Sequence, residues 1–565
     1  MEHQTADNNP TTSGGIKTVA VIGAGLSGIV SAAHLLRAGI DVTIFERGDA
    51  IGGAWIYSER TDRDPPFPNA QRPPRSVGEE GDSWDELQQA IRDTAGAISI
   101  AEAAAHIFAP PGPVYTNMKS RGTEVVMRTT LRDWPEGVKA PIDPGDVVAY
   151  LQDIADTYQV RDKIRFRTSV DSMTKDGNDD GNPVGDGRGS WRIRTSKLVS
   201  INPKSYKRER ETRDFDAVVV AAGRYGIPHV PDIPGLAQWK ARFPGRVKHT
   251  KQYRTAEPYR GKTVLVVGAH ISALDITNDL VGVAGKVYQS ARPTETDFRS
   301  RVRRDGETKM EMVAMVAEFA TLADDHGHSD SSVPTTAMAL DNDLPIPGRV
   351  VLSDGRVLDD VGHILFATGY LTTFPFLGPV LEQPLTDPQD ADEAVIVTAD
   401  ARMVHNLHED IFYIPDPTLA FVGVTQYAST FSLFDIQALV LAAVWAGRAR
   451  LPSQAAMREE QRRRKARLQL LPGALLNGVY LLDDFVIRRL LDWVNGDVTQ
   501  KEGGSGGNNT LTGPDAEWWT AFRAEREGAR AVIGRLQDHY LHTYGTSWEE
   551  LQSRNLSQGN DTKPN

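Results

Sequence analysis

A chain of 565 residues is long enough for two or three domains and a sizeable core. Its 40% hydrophobic and 24% charged content is that of a soluble globular protein, and a formal net charge of −12 argues against nucleic acid or an anionic membrane as partner. Cysteine is absent, which excludes disulfides, thiolate metal sites and redox dithiols.

Residues 1–15 are polar and small, without the apolar core of a signal peptide, and are expected to form a disordered tail, as are residues 553–565. Val19–Ile22 is an apolar run expected as a buried parallel strand. It enters Gly23-Ala-Gly25-Leu-Ser-Gly28, and Ile29, Val30, Ala33, Leu35 and Leu36 then give a helix its buried side. Val42–Phe45 is the next strand, ending at Glu46. This order fits a dinucleotide turn. Gly23 allows the tight bend, Gly25 the approach of backbone to pyrophosphate, Gly28 close helix–strand packing, and Glu46 the ribose hydroxyls. An ordinary glycine turn is the plainer alternative. Gly52-Gly53-Ala54-Trp55 follows at once.

Residues 61–85 are expected as a loop insertion, and residues 175–190 as a hairpin tip. Asp216–Gly223 is another buried strand, and Pro228, Pro231, Pro234 and Gly235 make a stiff linker. A second strand–turn–helix spans Thr263–Leu280, with Gly268-Ala-His270-Ile-Ser272-Ala273 at its turn. Gly268, Ser272 and Ala273 are candidates for a second dinucleotide, and His270 either crowds a pyrophosphate or donates to it. Arg292 follows the next strand, Lys286–Ser290, and can pair bidentately with a ribose phosphate, unless it is simply one of several surface arginines there.

Residues 305–345 have helical periodicity followed by a His/Asp/Ser stretch. Asp354-Gly355 marks a hairpin turn before the strand His363–Tyr370, and the remainder to about residue 550 is expected to be mostly helical. Its longest apolar run, ALVLAAVWAG, is too short to span a bilayer. Arg462–Lys465 forms a basic patch, expected as a solvated helix face. Neither a G-x-S-x-G nor an H-E-x-x-H is present.

Between the two fingerprints lies Phe243-Pro-Gly245-Arg-Val-Lys-His249-Thr-Lys-Gln-Tyr253, and beyond them Phe366-Ala-Thr368-Gly369-Tyr370. Together with Gly53 and Trp55, these motifs in this order resemble the class B flavin monooxygenases, specifically the flavin-containing monooxygenases. The resemblance implies an α/β fold with two Rossmann-like domains. The FAD domain is expected at 16–227 and 364–552, with a helical C-terminal region, and the NADPH domain is inserted at 228–363. FAD and NADPH are the implied cofactors. A flavin hydroperoxide would oxygenate a nucleophilic nitrogen or sulfur of a small molecule. Tyr253 points to heteroatom oxygenation, because Baeyer–Villiger relatives usually carry Trp there. His249 is assigned to domain coupling, and Thr368 and Gly369 to the return path towards the flavin. Phe431, Leu433, Phe434, Asp435 and Gln437 resemble the stretch before the helix that covers the flavin. The flavin disulfide reductases, which need a cysteine pair, are excluded.

One departure affects the reactive centre. The family's flavin-facing Asn aligns with Arg121, while this sequence carries Asn117 four positions earlier. Either Asn117 serves from a shifted loop, or Arg121 replaces the amide and brings a cation to the oxygen site, or Arg121 forms a salt bridge elsewhere. The alternatives to heteroatom oxygenation are a Baeyer–Villiger enzyme and a flavoprotein with a damaged nicotinamide site, kept open by His270 and Arg121. Expected partners are a small molecule and dioxygen, without nucleic acid or membrane. The expected location is cytoplasmic, and a homo-oligomer stays open.

Overall fold

The computed structural model describes residues 15–70, 99–176, 189–202, 205–291, 310–321, 344–426, 431–468, 483–501 and 511–527. Two parallel sheets dominate. The first has seven strands, taken here in chain order as β1 (Thr18–Ile22), β2 (Asp41–Phe45), β3 (Ile164–Arg165), β7 (Ala217–Val220), β18 (Leu407–His408), β19 (Phe412–Tyr413) and β20 (Leu419–Phe421). Their spatial order is β18-β19-β20-β7-β1-β2-β3. Parallel pairing runs from β20 to β3, and two antiparallel strands close the edge.

Alternation along β1 sets its two faces. Val19 and Val21 pack with the helices Leu26–Arg37, Pro144–Thr157, Phe431–Trp445 and Asp483–Lys501. Ala20 and Ile22 face the antiparallel strands β4 (Thr168–Lys175), β5 (Trp191–Asn202) and β6 (Ser205–Phe215), together with Phe374–Leu381. The helix Phe431–Trp445 is buried around nearly its whole circumference, and its sequence is apolar apart from Ser432, Asp435 and Gln437 near its start. No described helix is long and apolar enough to cross a membrane.

The second sheet lies wholly between β7 and β18 in the chain. It is all-parallel, in the order β12-β11-β10-β16-β9: Met310–Val313, Lys286–Ser290, Thr263–Val267, His363–Phe366 and Val247–His249. Its central strand alternates in the same way, Leu265 and Val267 on one side and Val264 and Val266 on the other. The chain leaves for this unit through β8 (Ile227–Pro228) and returns through β17 (Tyr370–Leu371). These two segments pair antiparallel, with Pro228 opposite Tyr370.

Three expectations are corrected. The helical periodicity after residue 305 does not make a helix in the part described. Met310–Val313 joins the parallel sheet, and β13 (Val316–Thr321) pairs with β14 (Gly348–Leu352). The Met, Ala and Glu residues there favour a helix locally, but strand pairing overrides that weak preference. Residues 372–426 are turns and short strands, and helices dominate only from Phe431. The basic patch is not all solvated: Arg464 is buried against Asp410 through two 3.1 Å bonds, while Arg462 and Arg463 pair with Glu459 at the surface. The hairpin at Asp354-Gly355 forms as expected, with Gly355 at φ +86° between β14 and β15 (Val357–Leu358). β4 and β5 form the hairpin expected at 175–190, with Lys175 opposite Trp191, while its tip at 177–188, residues 71–85 of the expected loop insertion, residues 1–14 and 553–565 of the expected tails, the GGSGGNN loop, and Arg292 lie outside the described residues.

Candidate functional site

The two glycine turns are built alike. Gly23 adopts φ +104°, and a Cβ there would lie 2.6 Å from the Ala221 carbonyl oxygen. Gly268 adopts φ +129°, and a Cβ would lie 2.4 Å from the Ala367 oxygen. Each turn glycine donates its N–H at 2.9 Å to the end of the following strand, at Phe45 and Ser290 respectively. The strand ends Ala221-Ala222 and Ala367-Thr368 are thus the floors on which the turns rest.

A Cβ on Gly28 would collide with the Gly23 oxygen at 1.9 Å, whereas Ala273 is accommodated fully buried in the second helix. Neither helix start, Leu26 or Ile271, has a side-chain cap or an acidic residue in its first turn. Both keep their terminal N–H groups and positive dipole end open to an anion. Ser272 and His270 are exposed at the second start, beside Ile271, which is 54% exposed.

Several further residues converge on the first turn. Gly25 and Gly53 face each other backbone to backbone: a Cβ on Gly53 would come within 2.8 Å of the Gly25 Cα. Trp55 is half-buried, edge-on to Phe431 at 5.6 Å. The Glu46 carboxylate accepts from Ala24 N at 2.7 Å and Gly48 N at 2.6 Å, so it braces the turn as well as standing at the ribose position. Gly423 lies against Ser27, and its N–H reaches Gln437 Oε1 at 3.3 Å. Gln437 Nε2 and Thr425 Oγ1 are buried with no hydrogen-bond partner. Buried polar atoms are seldom left so. With the open helix start, they fit a polar dinucleotide such as FAD in this groove.

Asp435 fastens the covering helix. Its carboxylate takes His34 Nε2 at 2.7 Å in a fully buried contact, and Thr130 N at 2.6 Å and Thr130 Oγ1 at 2.7 Å at the edge of the core, where Thr130 itself is exposed.

His249 is fully buried at the paired crossing between the sheets. Nδ1 accepts from Lys251 N at 3.1 Å, which leaves Nε2 to donate to Gly369 O at 3.1 Å. Burial pushes its pKa down to about 3, partly offset by the Gly369 bond and reinforced by Lys251 and His229, so the ring is neutral. The same carbonyl accepts from His229 N at 2.9 Å, and Thr368 Oγ1 donates to His229 O at 2.5 Å.

The residues after His249 stitch the crossing to the first unit. Lys251 Nζ bonds Asp62 and Gly226 O, each at 2.6 Å. Buried Arg254 donates to five carbonyls, those of Ser58, Arg60, Gly112, Lys251 and Tyr253, at 2.6–3.2 Å. Neither role is visible in the sequence, although Lys251 lies within the Phe243–Tyr253 motif and Arg254 directly follows it.

The loop carrying both candidate catalytic residues meets the second helix instead of standing free. Asn117 Nδ2 donates to Asp279 Oδ1 at 2.6 Å, and the Tyr253 hydroxyl bonds the other oxygen of that carboxylate. Arg121 forms a salt bridge with Asp275, the third of the arrangements open from sequence. Burial raises the Asp275 pKa against the lowering effects of Arg121 and Tyr115. Elsewhere, His408, Glu409 and Glu460 stand close enough to share a cation, but Arg489 pairs with both glutamates, which makes the group an ion-pair network.

The family model described as Flavin-binding monooxygenase-like matches residues 132–327 and 347–475, and that of an NAD(P)-binding Rossmann-like domain matches residues 21–76. Flavin-containing monooxygenase ustF2 of Aspergillus flavus is 32% identical over 551 residues, covering 93% of this chain and 100% of that protein. Flavin-containing monooxygenase iboF of Amanita muscaria is 28% identical, covering 80% and 82%. Among solved structures, S-allyl-L-cysteine S-oxygenase from Allium sativum has the same fold, with a TM-score of 0.59 at 21% identity, covering 91% of this chain and 99% of that one.

Proposed function

We propose, on the premise that this chain belongs to the flavin-binding monooxygenase-like family, that it holds FAD at the first glycine turn and NADPH at the second, and transfers one atom of dioxygen to a nucleophilic nitrogen or sulfur of a small molecule. The observation that carries this reading is the matched pair of uncapped, acid-free helix starts, each behind a glycine of positive φ.

When bound, the flavin supplies the hydride acceptance and oxygen chemistry. The chain's own groups bind and orient. Gly23, Gly25, Gly28 and Gly53 give backbone access to the pyrophosphate, Glu46 stands at the ribose, and Gln437 Nε2 and Thr425 Oγ1 would gain partners from the nucleotide. Trp55 and Phe431 wall the groove. Gly268, Ser272 and Ala273 receive the second pyrophosphate, and the preference for NADPH over NADH rests on Arg292.

His249 holds its proton on Nε2 for Gly369 and has none to give a substrate at neutral pH. Asn117 and Arg121 stand at the junction of the two units, and the Arg121 charge is matched by Asp275. A neutral pair offers little to an acidic substrate, which supports an uncharged or basic nucleophile. Tyr253 at the end of the motif supports heteroatom over ketone oxygenation.

The test is to bleach the flavin absorbance of the purified protein with NADPH without oxygen, then admit oxygen with a panel of amines, sulfides and ketones. An N-oxide, hydroxylamine or sulfoxide is expected. Esters or lactones alone would overturn the heteroatom assignment, and failure to bleach with either nicotinamide would overturn the second site.

A further inference from the structure

Residues 112–121 touch the surroundings of both glycine turns. At one end, Gly112 lies against the chain that continues from Gly53: its Cβ position is 3.8 Å from the carbonyl oxygens of Ala54 and Ile56. The Thr116 hydroxyl stands 3.4 Å from that of Tyr57, and Thr116 N donates to Arg254 O at 2.8 Å. At the other end the segment meets the helix Ile271–Val281, which begins at the second turn. Asp275 and Asp279 are four residues apart and so share a face of that helix. Asp275 holds Arg121 and stands near enough to the Tyr115 hydroxyl to add to the upward push that burial gives its pKa. Asp279 holds Asn117, and its other oxygen holds Tyr253. The segment is therefore a strap running from the first nucleotide turn to the helix of the second, fastened to that helix at two points.

We propose that Asp275 and Asp279 are positioning residues that latch this strap, so that nucleotide bound at Gly268–Ala273 is felt at Gly53–Tyr57. The proposal rests on the assignment of FAD and NADPH to the two turns. Stability alone is a poor account of the latch, because the Arg121 and Asp275 side chains are 41% and 24% exposed and such pairs add little to folding. A rigid helix is a better account. Anion binding at its first turn fixes its orientation, and two carboxylates one turn further on pass that orientation to the strap.

The experiment follows hydrogen exchange of peptides covering 112–123 in the flavin-loaded protein, with and without NADP+, alongside the flavin absorption spectrum. The variants are Asp275→Ala with Asp279→Ala, and the exchanged pair Arg121→Asp with Asp275→Arg, compared with Asp275→Arg alone. Alanine favours the helix, which partly offsets the lost acceptor of the Tyr253 hydroxyl. In the unmodified protein, NADP+ should slow exchange in 112–123 and shift the flavin spectrum. The double alanine variant should exchange there about tenfold faster, and NADP+ should affect neither readout. Flavin content, melting temperature and NADP+ affinity by equilibrium dialysis should stay within about twofold or a few degrees of the unmodified values. Asp275→Arg alone breaks one of the two fastenings and should lose part of the NADP+ response, and the exchanged pair should restore it.

Unchanged exchange in the alanine variant overturns the latch. So does NADP+ binding without any effect on 112–123 in the unmodified protein, or failure of the exchanged pair. Absence of NADP+ binding by dialysis overturns the cofactor assignment itself, and the latch with it.

Discussion

His249 should make the folded protein sensitive to mild acid in a way that one substitution removes. In the unfolded chain a histidine titrates near 6.5, while burial in the fold holds His249 down at about 3. Below about pH 6.5 the unfolded chain takes up a proton that the folded protein refuses. The associated stability is complete above that pH and declines as the pH falls towards 3. The slope is about 1.4 kcal/mol per pH unit, so about 2 kcal/mol is lost by about pH 5. His249→Gln keeps a donor for Gly369 O and removes the titration. Unfolding in urea, followed by tryptophan fluorescence at about pH 7.5 and about pH 5, measures both proteins. The variant is expected to start less stable, but the unmodified protein should lose about 2 kcal/mol more over the interval. Equal losses would refute the assignment of a neutral His249 held by Lys251 N and Gly369 O.

Other outcomes follow from single contacts. Gly28→Ala drives a methyl to 1.9 Å from the Gly23 oxygen and should cost at least about 1–3 kcal/mol and yield protein purified without flavin, read as the ratio of visible to ultraviolet absorbance. Gly268→Ala should spare flavin content and raise the NADP+ dissociation constant at least about tenfold, since only the second turn must move. Arg254→Met strands five carbonyls in a buried place and should cost about 3 kcal/mol or more, measured in urea. Asp435→Ala leaves the buried His34 ring without its partner beneath the covering helix, while exposed Thr130 can turn to water, and should cost about 2 kcal/mol by the same assay.

The turn glycines could be read from sequence because each answers a local demand, a positive φ or a contact a methyl cannot make, and their spacing repeats that demand. The strands beside them were legible for a similar reason: short apolar runs ending in glycine have few other uses. Arg254 and Asp279 were not legible. Their value comes from partners far along the chain, such as Gly112 and Asn117, and nothing in a run of neighbours marks a charge that will be buried among carbonyls. Arg121 shows the limit most plainly, since alignment could say which residue it replaces but not that Asp275 would neutralise it. The segment from Met310 failed for the opposite reason: its local preference was clear and was overruled by sheets completed by residues 286–290 and 348–352.

The antiparallel pairing of Ile227–Pro228 with Tyr370–Leu371 has a consequence for how such a molecule could be assembled or taken apart. Because Pro228 sits opposite Tyr370, the exit and re-entry of the inserted sheet are neighbours, not distant anchor points. To the first sheet, the intervening 141 positions (229–369) occupy no more room than a tight hairpin would. A gene joining residue 228 to residue 370 through a two-residue turn would close the first sheet without stretching it. The second unit is in that sense a cartridge, plugged in through a gap one strand wide.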